Sequence, residues 1–193
     1  MIDALIANLE TARKSEIGAK LGLGGEGFAY VTLHRPSNVD EEQRLRAIMD
    51  GLQEISKHLS VVFPMHPRTK KMLAEFGISL TTCDRFKVIE PIGYHDSIYL
   101  SEHARAVITD SGGLQEETTY FRTPCLTMRP NTERPITIQL GSNKLTTIET
   151  LVTDVDSLLL GDVKIGEAPP LWDGCTATRI VEELLGASGA GRR

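Results

Sequence analysis

The densest chemistry in the chain lies in Thr109-Asp110-Ser111-Gly112-Gly113-Leu114-Gln115-Glu116-Glu117. An apolar, β-rich stretch ends at Thr109 and a helical pattern opens at Leu114. Ser111 can cap that helix, and two glycines leave the first-turn N–H groups uncovered. Such groups, at the positive end of the helix dipole, make a seat for phosphate. Glycine there lets the phosphate reach the backbone. The same residues also suit a plain N-cap after a tight turn, with Glu116 and Glu117 complementing the dipole. A second group, His34-Arg35-Pro36-Ser37-Asn38, offers an imidazole N–H and a guanidinium fork to an anion. Its other reading is a surface turn formed by Pro36 and Asn38. His66-Pro67-Arg68 carries the same two readings. Arg129 and Arg134 flank Pro130-Asn131-Thr132-Glu133, which by composition is a charged loop.

The elements that would position these residues alternate in type. Apolar, β-rich runs fall at Ala29–Leu33, Val61–Phe63, Phe86–Ile89, Ala106–Thr109, Cys125–Met128 and Lys144–Thr146. Helical patterns lie between and around them, at Ile2–Leu21, Glu42–His58, Thr69–Phe76, Asp96–Glu102, Leu114–Phe121, Ile136–Leu140, Val155–Leu160 and Thr176–Leu185. Short strands that are apolar throughout are those covered on both faces. Their alternation with helices predicts a parallel sheet wrapped by crossovers, a Rossmann-like, doubly wound α/β domain spanning 1–193. The Gly/Ala/Arg residues at 186–193 are expected to form a disordered tail. His34-Arg35, His66-Pro67-Arg68, Pro91-Ile92-Gly93-Tyr94, Asp110-Ser111-Gly112-Gly113 and Arg129 each follow a strand. They therefore collect at the carboxyl edge of the sheet, where open α/β sheets bind ligands.

Composition narrows the classes. The chain has 193 residues, 40% of them hydrophobic and 24% charged, the profile of a globular domain with a real core. A formal net charge of -5 argues against nucleic acid or an anionic membrane as partner. No apolar run approaches the roughly 20 residues of a membrane span. Cys83, Cys125 and Cys175 are widely spaced with no CxxC pair, so no metal site is expected, and reduced thiols fit a cytoplasmic location.

Taken together, His34-Arg35-x-x-Asn38, His66-Pro67, Pro91-x-x-Tyr94, Asp110-Ser111-Gly112-Gly113-x-Gln115-Glu116-Glu117 and Thr132-Glu133-Arg134-Pro135 resemble, in this order, the non-hydrolysing UDP-N-acetylglucosamine 2-epimerases. Trp172-Asp173-Gly174 with Arg179-Ile180 resembles that family's C-terminal signature, so the resemblance runs from about Ile2 to Leu185. The resemblance implies two Rossmann-type domains facing a cleft, the glycosyltransferase-B arrangement, of which this chain matches the second, UDP-holding domain. The N-terminal partner domain is not represented.

Further consequences of the resemblance concern chemistry. The reaction is an isomerisation of UDP-GlcNAc to UDP-ManNAc by elimination and re-addition of UDP, in cell-surface polysaccharide biosynthesis, with no cofactor. Ser111, Gly112, Gly113 and His34 would hold the diphosphate, His34 also stabilising UDP as leaving group. Glu117 would take both ribose hydroxyls, Arg134 would reach the phosphate or sugar, and residues 91–97 would meet the uracil. Arg35 would line the substrate and, with His66, a neighbouring regulatory site for a second UDP-GlcNAc. The acid/base carboxylates for C2 would come from the missing domain, leaving this chain inactive alone; the full-length enzyme would be a homodimer. Ser37 stands where the family often has an acidic residue, and Arg68-Thr69 where it often has Asn-Pro, which weakens the regulatory assignment. Two other readings are a stand-alone UDP-sugar-binding module and a glycosyltransferase-B-type glycosyltransferase domain. Many such transferases place a second glutamate where this chain has Ile108 or Thr109.

Overall fold

The apolar runs become six parallel strands, β1 (Phe28–Thr32), β2 (Ser60–Pro64), β3 (Phe86–Ile89), β4 (Ala106–Thr109), β5 (Cys125–Thr127) and β6 (Asn143–Leu145), in a computed structural model that describes residues 1–25, 27–162 and 164–190. They form one sheet in the order β3-β2-β1-β4-β5-β6. The pairing is parallel throughout, with Ala29 opposite Val61 on one side and Ala106 on the other. The order reverses between β1 and β4, the topological switch point of a doubly wound sheet.

The side-chain period of two explains why the central strands are apolar on both faces. On β1, Ala29 and Val31 face one side and pack with Val61, Phe63 and Ile108 beneath Leu45, Ile48, Met49, Leu52 and Ile55 of α4 (Glu42–Ile55). Those α4 positions recur at helical spacing and give the helix its buried stripe. Phe28 and Tyr30 face the other side and pack with Val62, Val107 and Leu100 of α6 (Tyr94–His103). Both faces are dry, so both must be apolar.

The remaining helices are α1 (Ile2–Ala12), α2 (Ile17–Lys20), α3 (Pro36–Val39), α5 (Pro67–Glu75), α7 (Gly112–Phe121), α8 (Pro135–Gln139), α9 (Leu151–Leu159) and α10 (Thr176–Ala190). Several differ from the sequence reading; α9, for one, opens a turn earlier, at Leu151 rather than Val155. The helix expected over Ile2–Leu21 is two helices, because Ser15 Oγ accepts the Ile17 N–H at 3.1 Å and donates to Asp96 Oδ1 at 2.5 Å. A serine bonded to its own backbone in this way competes with helix propagation. A turn of helix, α3, appears where only a turn was in view, with Pro36 at its first position, where proline's missing N–H costs nothing. The tail expected over 186–193 is helical at its start, since α10 continues through Ala190. The last part of that expectation, 191–193, lies outside the described residues. Among the described residues no helix is long and apolar enough to cross a membrane.

Candidate functional site

The switch point places the ends of β1 and β4 side by side. Thr32 and Thr109, the last residues of these strands, share a hydroxyl–hydroxyl hydrogen bond of 2.7 Å. Beyond them the chain turns into His34 on one side and Asp110-Ser111 on the other. Asp110, fully buried, is the hub. Its carboxylate accepts from the backbone N–H of His34 at 3.0 and 3.1 Å, from that of Arg35 at 2.8 Å and from Asn38 Nδ2 at 3.1 Å. His34 Nδ1 lies 3.1 Å from the same carboxylate. Asn38 also donates to Met128 O at 2.9 Å, tying the end of β5 into the hub, while Arg44 Nε donates to Asn38 Oδ1 at 3.2 Å. Asn38 is therefore a buried cross-link between three loops and not a surface turn former.

Ser111 occupies the N-cap position of α7 in an extended conformation, yet its side chain makes no capping hydrogen bond. Its own N–H goes to Thr109 Oγ1 at 3.0 Å. The hydroxyl is thus not engaged as a cap, and no backbone or side-chain partner among the described residues takes up the first-turn N–H groups. A Cβ on Gly112 would meet nothing within 4 Å, so no protein contact requires glycine at that position. Open space over uncovered N–H groups is the geometry of an anion seat at a helix start.

Next to this helix start runs an open cleft of about 420 Å³ lined by His34, Ser111, Gly113 and Glu117 together with Tyr30 and Tyr94. Glu116 and Glu117 separate here as adjacent helical residues must. Glu117 turns into the cleft and is 6% exposed; Tyr94 OH donates to its Oε1 at 3.2 Å. Burial pushes the Glu117 carboxyl up to about 7, with the neighbouring Glu116 charge adding to the rise and the Tyr94 hydrogen bond opposing it. Burial likewise raises the phenols of Tyr30 and Tyr94 to about 12, and the charge of Glu117 adds to both. Tyr30 OH is held at 2.8 Å from Ser97 Oγ of α6. Burial lowers the affinity of His34 for a proton; Asp110 opposes that shift, and His66 and Arg35 reinforce it.

The other expected residues take different places. Glu116 faces away from the cleft toward Arg134, whose Nε is 3.2 Å from Glu116 Oε2, although the N–H is not aligned with that oxygen. Arg134 is thus not among the residues lining the cleft. Arg129 pairs with Glu133 at 3.0 Å. Arg35 gives its backbone N–H to Asp110, and its buried Nε has no hydrogen-bond partner. His66 caps α5 by accepting the Arg68 N–H at 3.1 Å, with its ring 5.0 Å from that of His34. Gln115, fully buried, was not singled out from sequence. Its Oε1 accepts from Thr132 Oγ1 at 2.5 Å and Asn143 Nδ2 at 3.2 Å, and its Nε2 donates to Ser111 O at 3.2 Å. It joins the start of α7 to the loop carrying Glu133 and Arg134. Asp110, Asn38, Tyr94, Gln115 and Thr132 all stand inside the quoted motifs, but the signal for their roles is buried pairing across the fold.

A parallel sheet with a histidine and an uncapped helix start meeting at its switch point defines a doubly wound α/β domain with a ligand crevice at that point. The same architecture extends to an ADP-heptose lipopolysaccharide heptosyltransferase II of Escherichia coli, which at 14% identity and a TM-score of 0.55 over 78% of this chain is alike in fold alone. The family described as UDP-N-acetylglucosamine 2-epimerase matches residues 1–185, and the chain belongs to it. A UDP-N-acetylglucosamine 2-epimerase of Methanocaldococcus jannaschii is 37% identical over 95% of this chain and 52% of its own length. The structure of that species' UDP-GlcNAc 2-epimerase in complex with UDP-GlcNAc and UDP superimposes with a TM-score of 0.78 at 36% identity, over 94% of this chain and 52% of the other. A UDP-2,3-diacetamido-2,3-dideoxy-D-glucuronate 2-epimerase of Pseudomonas aeruginosa is 35% identical over 85% of this chain and 46% of its own length. The chain spans about half the length of the relatives it matches.

Proposed function

We propose that this chain is the UDP-holding half of a UDP-GlcNAc 2-epimerase, acting in the cytoplasm on the supply of sugar for cell-surface polysaccharide, with the full-length enzyme a homodimer. The observation that carries the reading is the uncapped start of α7 facing His34 across the switch point, with Glu117 buried in the adjoining cleft. In this reading the N–H groups after Ser111, the Ser111 hydroxyl and His34 hold the diphosphate, and Glu117 accepts from both ribose hydroxyls. Residues 91–97, at the start of α6, meet the uracil. Arg134, outside the cleft lining, reaches in to the phosphate or sugar, and Arg35 with His66 edges a regulatory subsite. UDP leaves as an anion, stays bound and returns, so preorganised donors stabilise both half-reactions. Three free cysteines among the described residues accord with a reducing compartment.

The relatives' names differ in the sugar and share the UDP and the position epimerised. UDP recognition is accordingly the part of the activity that this half carries. Calorimetric titration of the 193-residue chain tests it. UDP is expected to bind, with UDP-GlcNAc tighter by less than about tenfold, ~1.4 kcal/mol. A larger preference would place the sugar site in this half and undo the division of labour. Solvent deuterium is expected not to enter C2 of UDP-GlcNAc with this chain alone, since the acid/base carboxylates belong to the other half.

A further inference from the structure

We propose that Asp110 is a positioning residue for diphosphate recognition: it holds the proton of His34 on Nδ1, so that Nε2 is the ring nitrogen that meets the ligand and takes up a proton with it. The proposal rests on the phosphate seat just described and adds the group that sets its protonation state. The groups hydrogen-bonded to the Asp110 carboxylate are all donors, two backbone N–H groups and the Asn38 amide, and the His34 ring nitrogen Nδ1 lies 3.1 Å from it. At 3.1 Å a lone pair on Nδ1 would face the negative carboxylate, so the electrostatics favour hydrogen on Nδ1, although the ring N–H is not aligned as a full hydrogen bond. In the neutral ring Nε2 then carries a lone pair, which repels a phosphate oxygen. Anion binding must therefore be accompanied by protonation of Nε2, giving an imidazolium with Nδ1–H on Asp110 and Nε2–H on the phosphate.

No covalent step is involved; the proton comes from solvent and returns there on release. The charged and titratable groups acting on His34 are Asp110 after β4, His66 before α5 and Arg35 beside it. Of these only Asp110 favours the imidazolium. His66 uses its Nδ1 as an acceptor for the Arg68 N–H and is not held by a carboxylate in the same way.

The tautomer is read directly by long-range 15N–1H NMR on the wild-type chain, and the Nδ1–H form is expected for His34 in the unliganded state at pH 8. A proton on Nε2 in that state overturns the proposal without any variant. The second readout is the affinity for inorganic pyrophosphate of wild type and Asp110→Asn at pH 8.5 and pH 6. Taking the ratio of the two proteins removes the ligand's own titration. The ratio in favour of wild type is expected to grow by about tenfold on going to pH 6, corresponding to a shift of about one pKa unit in the bound imidazolium. An equal loss at both pH values would mean that Asp110 only holds the loop, and overturns this proposal alone. A wild-type chain that binds no pyrophosphate at either pH overturns the phosphate seat, and this proposal with it. If Asp110→Asn does not fold, the wild-type tautomer decides.

Discussion

Replacing Glu117 by Gln removes the charge and keeps the shape, and the structure makes its consequences depend on pH in two opposite ways. Consider stability first. The folded carboxyl titrates near 7 against an ordinary 4.5, so the proton favours the folded state. The stabilising effect of the proton is complete below pH 4.5 and is lost as pH rises through 7. By pH 9 the ionised, buried side chain costs about 3 kcal/mol. Glu117→Gln should therefore melt within error of wild type below pH 5. At pH 9 it should melt higher by on the order of 6–12 °C for a domain of this size.

Nucleotide affinity should move the other way. An ionised Glu117 accepting from two ribose hydroxyls is worth about 1.5–3 kcal/mol over a neutral amide, roughly tenfold to a hundredfold in affinity. Only the ionised fraction can do this, and for a group titrating near 7 that fraction rises about tenfold between pH 6 and pH 8. The ratio of wild-type to variant affinity for UDP, measured by calorimetry, should grow accordingly over that range, and taking the ratio cancels the contribution of His34. Glu116→Gln should leave the ratio near one, because Glu116 faces Arg134. Pyrophosphate, which has no ribose, should not distinguish Glu117→Gln from wild type. Equal losses for the two glutamates, an undiminished loss with pyrophosphate, or no gain in stability at pH 9 would each refute the assignment of Glu117 to a buried ribose contact.

Gly112→Ala should leave the melting temperature nearly unchanged, since its Cβ meets nothing within 4 Å, while weakening UDP and pyrophosphate alike by crowding the helix start; thermal melting beside calorimetry separates the two effects. Gln115→Ala strips Thr132 and Asn143 of a buried acceptor and leaves a cavity, which should cost about 2–4 kcal/mol in urea unfolding.

Much of the frame was legible because its signals are local. The runs at Val61–Phe63 and Ala106–Ile108 are apolar at every position, as expected of a doubly covered parallel strand. Placing His34 and Ser111 at one edge then needed nothing beyond the rule for ligand sites in such sheets, whereas Glu117 was singled out by the family resemblance. What escaped depends on partners distant in sequence. Ser15 ends α1 through Asp96, and Asn38 and Asp110 meet across the switch point with Met128. Tyr94 reaches Glu117 from a different helix. Propensity carries no record of these pairings: Asn38 has the composition of a turn residue and the environment of a core residue. Arg134 illustrates the converse, a motif residue whose side chain is drawn to Glu116 and away from the cleft lining.

The strand order has a kinetic corollary. β1 and β4 are neighbours in the sheet yet register Ala29 against Ala106, so joining them closes a long loop that contains β2 and β3. Pairings of such long sequence range are slow to form, because the loop entropy is spent before the contacts reward it. The proposed nucleotide seat takes His34 from the strand before that closure and Ser111 from the strand after it. A ligand gripping both would act as a clasp across that long-range seam, and occupancy would deepen the native well and, where the seam opens in unfolding, lengthen the native lifetime.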